Sequence, residues 1–337
     1  MLNAPKPAKR STRVAKLPAK TGAPVVVITG ASSGMGRCTA GLFGSRGWPV
    51  GLIARGQAGL QAACDDVQRH GAMAAMAQAD VTEPHALEAA AASIEHALGP
   101  IDVWVNCAGN ATYGRFLDTL AEEFRRVTDV TYLGTVNGTR VALRRMLPRD
   151  EGCIVNVCSA IAFHGMPLLS AYSGAKHAMR GFDQSIRAEL VEDGSQVHLP
   201  TLFPPAVNTP FVDHAISHMG QLGRPMSPVY QPEINAEAIH HAVITGRREL
   251  PVTFSTILFS IGTRLLPGLV SRAISHLGYR GQLTEQAASL ERHDPTLFAP
   301  SDAASPVRGA FDAQARSCSM HVYIFRLFAL LTGKRPR

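Results

Sequence analysis

The 337-residue chain has no CxxC spacing among its six cysteines, no run of 18 uninterrupted apolar residues and no internal repeat. The scattered thiols Cys38, Cys64, Cys107, Cys153, Cys158 and Cys318 therefore suggest neither a zinc site nor a disulfide framework, and reduced, buried thiols in a cytoplasmic protein are expected. The missing apolar run argues against a spanning helix, since the nearest approach, 252–270, is broken by Arg264, Pro267 and two glycines. Acids are missing too, but only at the ends. Residues 1–20 carry six Lys or Arg with three prolines and no acid, and residues 316–337 carry five basic residues and no acid. Setting these eleven aside leaves 22 basic against 26 acidic residues, so the body is net −4 although the whole chain is +7. Charge confined to the ends describes solvated arms that touch anionic surfaces weakly, and nucleic acid is not an expected partner. The first arm lacks an apolar h-region, so a disordered segment over 1–21 is expected rather than a secretory signal, with organelle targeting as the alternative. His164, His198, His214, His218, His240 and His241 have no acids or cysteines at ligand spacing, and no metal is expected.

Apolar residues at 46% and charged residues at 18% are ordinary for a folded domain. Their order is more telling. The segment 24–29 (PVVVIT) is a continuous β-branched run, as in a strand buried on both faces. Helical and strand patterns then alternate: helix 34–46, strand 49–54, helix 57–70, strand 72–77, helix 84–98, strand 101–106 (IDVWVN), helix 120–147, strand 153–158, helix 171–192 and strand 196–203. Gly134 and Gly138 lower the propensity of the long helix locally. Such alternation implies right-handed crossovers and a doubly wound parallel sheet of the Rossmann type, with helices on both faces. After 203 the rhythm stops. Residues 204–235 read as a long loop with one short helix, 236–246 and 254–277 as further helices, 283–317 as polar and mostly irregular, and 321–331 as a short apolar helix. The expected organisation is an arm over 1–21, a domain over 22–250 and a helical and irregular extension over 251–337.

The first strand runs directly into Thr29-Gly30-Ala31-Ser32-Ser33-Gly34-Met35-Gly36. Between a buried strand and a helix this is a phosphate cradle: Gly30 allows the sharp turn, Gly34 the approach of backbone to a pyrophosphate, and Gly36 close packing of the helix. The N–H groups at the start of that helix, around Ser32, Ser33 and Met35, face the phosphates. The second strand ends Ala54-Arg55, without the acid that would bond a ribose 2′-OH. A guanidinium there suits a 2′-phosphate, so NADP(H) is expected in preference to NAD(H).

Tyr172 and Lys176 lie four residues apart, hence on one helix face, after the fifth strand. A phenol with a pKa of about 10 becomes a useful proton donor and acceptor when an ammonium favours its ionised form. Ser159, at the end of the fifth strand, is placed to hydrogen-bond a substrate oxygen. A hydride-transfer enzyme acting on a carbonyl or alcohol follows.

With these motifs in order over about residues 22–210, the chain resembles the short-chain dehydrogenase/reductase family, in its compact branch. The family's TGxxxGxG pattern matches Thr29 to Gly36, and its adenine-contacting acid matches Asp80 in Asp80-Val81. Its NNAG motif becomes Asn106-Cys107-Ala108-Gly109, and its Ser, Tyr and Lys match Ser159, Tyr172 and Lys176. The segment that holds the carboxamide is mirrored by Pro204, Val207 and Thr209, with Pro205 standing in for a glycine. The resemblance departs at the family's fourth catalytic residue, an Asn that helps hold a water between Lys and solvent, where this chain has Thr131. A threonine hydroxyl holds water as well, but the kink and relay do not carry over automatically, and Asn137 is too far along to substitute. The Leu277 to Gln282 stretch resembles longer bacterial members. Two other readings stand beside the oxidoreductase: a catalytically impaired NADP(H)-binding scaffold or regulatory protein, and a membrane-surface reductase of lipid-like ketones. Phe203, Phe211, Met219 and Met226 are expected either to line a substrate pocket or to pack. The segments 254–270 and 321–331 are expected to be buried against the domain or a second copy in a homo-oligomer, a weak peripheral membrane contact being the other option.

Overall fold

The computed structural model describes residues 22–287 and 295–319, so the basic arm 1–21 and the apolar segment 321–331 lie outside the described residues. The run after Pro24 forms β1 (Val25–Thr29), buried throughout. It is joined by β2 (Val50–Ala54), β3 (Ala74–Gln78), β4 (Ile101–Asn106), β5 (Cys153–Val157), β6 (Thr201–Phe203) and β7 (Glu249–Pro251). All seven pair in parallel, in the order β7-β6-β5-β4-β1-β2-β3. Parallel pairing requires long crossovers, which here are helices covering both faces. Alternate strand residues serve opposite layers. Val26, Ile28, Leu52 and Val155 meet Phe43, Leu60 and Ile239 of α1 (Gly34–Ser45), α2 (Gln57–Gln68) and α7 (Pro232–Thr245). Val27, Ile53, Trp104 and Ile154 meet Leu87, Ile94, Val141 and Leu190 of α3 (Pro84–Leu98), α5 (Gly134–Met146) and α6 (Ser170–Glu192).

The expected strand over 196–203 shortens to three residues. Pro200 has no N–H to give the ladder, and upstream of it only His198 makes an isolated bridge to Cys153. The expected helix over 120–147 is present but interrupted: α4 (Ala121–Thr128) passes through a π-helical turn, Asp129–Leu133, into α5. Gly138 has a packing role there, because a Cβ on it would lie 2.0 Å from Asn106 Oδ1. The edge strand β7 carries no sequence signal, being three residues that end in proline. Beyond it lie α8 (Phe254–Leu265) and α9 (Pro267–Ala273). Part of the segment expected to be irregular pairs as a strand, Leu283–Ala287, antiparallel to Gln221–Gly223. Residues 295–319 contain neither helix nor a multi-residue strand and return to the C-terminal ends of β1 and β2.

Candidate active site

Strand order reverses between β1 and β4, and a crevice opens outside their C-terminal ends. Thr29 Oγ1 accepts the N–H groups of Cys107 (3.2 Å) and Ala108 (3.4 Å), binding the end of β1 to the turn after β4. Gly30 has φ +68°, and a Cβ there would sit 2.7 Å from Ala108 Cα; one on Gly36 would sit 2.2 Å from the Gly30 carbonyl. The glycines are therefore required by backbone packed on backbone. A cavity of about 500 Å³ runs from this loop to α6. Its wall includes Gly30, Ser32, Ser33, Gly34, Met35 and Gly36 at one end, and Ser159, Tyr172 and Lys176 at the other.

At the second end, Ser159 caps a short 3-10 turn, its Oγ accepting the Ile161 N–H at 3.3 Å. Tyr172 and Lys176 share one face of α6, with Nζ 5.5 Å from the centroid of the Tyr172 ring. The buried Lys176 Nζ donates to the Val157 carbonyl at 2.7 Å, which fixes it under the crevice. Burial pushes the Tyr172 phenol up, partly countered by a hydrogen bond from Ser159. Burial lowers Lys176, and nearby Cys158, Cys107 and Asp183 oppose that shift. Within the protein alone burial thus outweighs the ammonium effect expected from the sequence. Cys107 and Cys158 are held up to about 12 by burial, so neither thiol is a nucleophile at neutral pH.

Arg55, Asp80, Val81, Ala108, Gly109, Pro204, Val207 and Thr209 also line the cavity. Two predicted site residues do not. Asn106 is buried in a polar chain: it accepts from Trp104 Nε1 (2.8 Å) and donates to Asn156 Oδ1 (2.8 Å), while Asn156 donates to Asp183 (2.6 Å). Thr131 lies in the π turn, fully buried, where its hydroxyl accepts the Asn110 N–H (3.2 Å) and donates to the Asn110 carbonyl (3.1 Å). It holds the cavity wall from behind. The kink survives without the family's Asn, and Asn137 donates to the Val81 carbonyl instead (3.0 Å).

Several residues that line the cavity carry no motif. Asn110 and Tyr113 follow the Gly109 turn, and the Asn110 side chain, buried, has no hydrogen-bond partner among the described residues. Of the aromatic and Met residues considered from sequence, Phe211 and Met226 line the cavity, Phe211 lying 5.3 Å from the Tyr172 ring. Phe203 packs with Cys158 and Met179 in the core, and Met219 does not reach the wall.

The Arg55 end is roofed by the returning segment. The guanidinium donates to the carbonyls of Thr296, Leu297 (3.3 Å) and Phe298 (3.2 Å), and lies 4.0 Å from Asp80. Arg126 ties the Leu297 carbonyl (3.1 Å) to Thr82 (3.1 Å) and Asp80. Burial pulls the Asp80 carboxyl up, but its bonds with Arg126 and Thr82 more than offset this and leave it below the usual range. Further along, Ser305 accepts from Arg37 (2.9 Å) and the Pro306 carbonyl accepts the Gly34 N–H (3.1 Å). Thr296, Pro300, Ser301, Ala303 and Ser305 complete the wall, and nothing in their sequence announces it. Among the described residues no group of three or more His, Cys, Asp or Glu could hold a metal ion.

Residues 24–220 match the family model described as short chain dehydrogenase. The chain is 32% identical over 276 residues, 81% of this chain and 77% of the relative, to an uncharacterized oxidoreductase, YxnA, of Bacillus subtilis (strain 168). It is 31% identical over 190 residues to a 3-ketodihydrosphingosine reductase of Bos taurus, covering 55% of this chain and 57% of that one. Among solved structures, an actinorhodin polyketide ketoreductase variant with NADPH aligns with a TM-score of 0.60 at 25% identity, over 68% of this chain and 95% of that chain.

Proposed function

Because the chain belongs to the short-chain dehydrogenase family, we propose that it is an NADP(H)-dependent oxidoreductase of a carbonyl or alcohol compound, with Tyr172 as general acid and base. One observation carries the reading: Ser159, Tyr172 and Lys176 meet on the wall of the same cavity whose other end is the glycine cradle. A nicotinamide dinucleotide fits this cavity on two grounds. The loop from Gly30 to Gly36 is closed to any Cβ and offers backbone N–H groups at the start of α1. The buried Asn110 amide lacks a partner that a carboxamide or a substrate oxygen would supply.

Bound NADPH supplies the hydride. The protein's share is positional and protonic. Ser159 hydrogen-bonds the substrate oxygen, Tyr172 donates its proton to it, and Lys176, anchored on the Val157 carbonyl, sets the field around the phenol. In the reverse direction the phenolate takes the proton back. Preference for NADP(H) rests on Ala54-Arg55 at the end of β2. The present partners of Arg55 are neutral carbonyls, against which a 2′-phosphate dianion competes well. We take the working unit to be a cytoplasmic homo-oligomer, to be checked by sedimentation velocity and cell fractionation.

Steady-state oxidation of NADPH, with NADH in parallel, over a panel of ketones, aldehydes and quinones tests the activity. Tyr172→Phe is expected to lose about 10²–10⁴-fold in turnover, with NADPH binding by fluorescence titration within threefold of the parent. Full activity in that variant would remove Tyr172 from the chemistry, and no turnover by the parent on any substrate would favour a cofactor-binding scaffold.

A further inference from the structure

Helix α8 is built inside out for a surface helix. Thr253 caps it, its Oγ1 accepting the Thr256 N–H at 3.3 Å. Ser255, Thr256 and Phe259 face the cavity, and the hydroxyls of Ser260 and Thr263 turn back onto the carbonyls of Ile257 (2.8 Å) and Ser260 (3.0 Å). The side toward water carries Phe254, Leu258, Ile261 and Leu265, spaced i, i+4, i+7 and i+11 on one face, and all four are exposed. Leu266 and Leu269 continue this stripe along α9, and Leu277 (68% exposed) follows in the next turn. Burial of this segment against the domain, expected from sequence, is therefore not found among the described residues.

The charge around the stripe has one sign. Residues 252–282 contain no Asp or Glu, and Arg264, Arg272 and Arg280 are exposed among them. An isologous contact with a second copy would set these arginines against each other with no acid on the patch to receive them. An anionic surface receives both features. We propose that α8 and α9 lie flat on an anionic lipid bilayer, with the apolar stripe in the headgroup region and the arginines on lipid phosphates. No helix among the described residues is long and apolar enough to cross a membrane, so the contact lies on the surface. The cavity stands directly behind α8, and a lipophilic carbonyl compound is the matching substrate class. That last clause rests on the proposed oxidoreductase activity; the docking does not.

The test is cosedimentation of the full chain with vesicles of phosphatidylcholine alone and of phosphatidylcholine with phosphatidylglycerol. Binding to the anionic vesicles, weakened by salt, is expected. Arg264→Gln/Arg272→Gln should weaken it at least about tenfold. Leu258→Ser/Leu265→Ser should weaken it comparably, with an unchanged circular dichroism spectrum. Both double variants should reduce a water-soluble carbonyl compound at the parent rate, so failure of docking and failure of the oxidoreductase reading are told apart. The proposal is overturned if the full chain ignores both vesicle types, if the variants bind like the parent, or if Leu265→Ser converts a dimer to a monomer.

Discussion

The two ends of the cavity are held by different means. At the Tyr172 end every side chain stands on regular structure: Ser159 directly after β5, Tyr172 and Lys176 on the 23-residue α6. At the Arg55 end the wall is irregular chain from far along the sequence, held by side chains gripping its backbone carbonyls. Chemistry needs positions kept to a fraction of an ångström, which strands and long helices supply. A roof over a nucleotide must seal and then release, and irregular chain pinned by a few hydrogen bonds suits that task. Substitutions at the first end should damage rate, and those at the second should damage affinity.

The largest effect expected at the catalytic end, after loss of Tyr172, comes from Lys176→Met. Its turnover should fall about 10²-fold or more while the dissociation constant for NADPH changes far less; a change confined to affinity would reduce Lys176 to an anchor. At the other end, Arg55→Ala should weaken NADPH about tenfold, leave NADH nearly unchanged and spare turnover at saturation. Equal weakening of both would mean that Arg55 serves only to pin the roof. The pH dependence sharpens the first end further. Because burial holds the Tyr172 proton on, ketone reduction should be flat through neutral pH, whereas alcohol oxidation, which needs the phenolate, should climb steadily toward alkaline pH. Opposite slopes would exclude Tyr172 as the titrating group.

Thr131→Ala should cost about 1–3 kcal/mol of stability by orphaning the buried Asn110 N–H and carbonyl, with only a severalfold loss of rate. A loss as deep as that of Tyr172→Phe would restore Thr131 to the proton path. The smallest effect concerns Asp183, which burial raises from 3.8 to about 6 despite hydrogen bonds from Thr201 and Asn156. A carboxyl whose folded pKa is raised stabilises fully below its unfolded value, and that contribution fades as pH rises from about 4 to 6. The melting temperature of Asp183→Asn relative to the parent should therefore rise over that window; a constant difference would show the group is not titrating there.

Most of the fold and the Tyr172 end of the site were legible in the residues. β-branched runs, amphipathic helices and the glycine loop are local statements, and β4 and α3 lie where their patterns put them. The misses share a cause. β7 is three residues long, with no periodicity to read, and exists because β6 offers it an edge. Thr131 and Asn106 sit at motif positions, yet which way each side chain faces is set by packing: Trp104, Asn156 and Asn110 claim their hydrogen bonds.

Taken alone, the order of residues settled the parallel α/β architecture and the pairing of Tyr172 with Lys176, because periodicity and four-residue spacing act through neighbouring backbone. Folding in three dimensions decided which distant segment roofs Arg55 and which face of α8 meets water. Those outcomes depend on carbonyls that every residue possesses and on surfaces left over once the core is filled, and neither leaves a mark on the order of side chains.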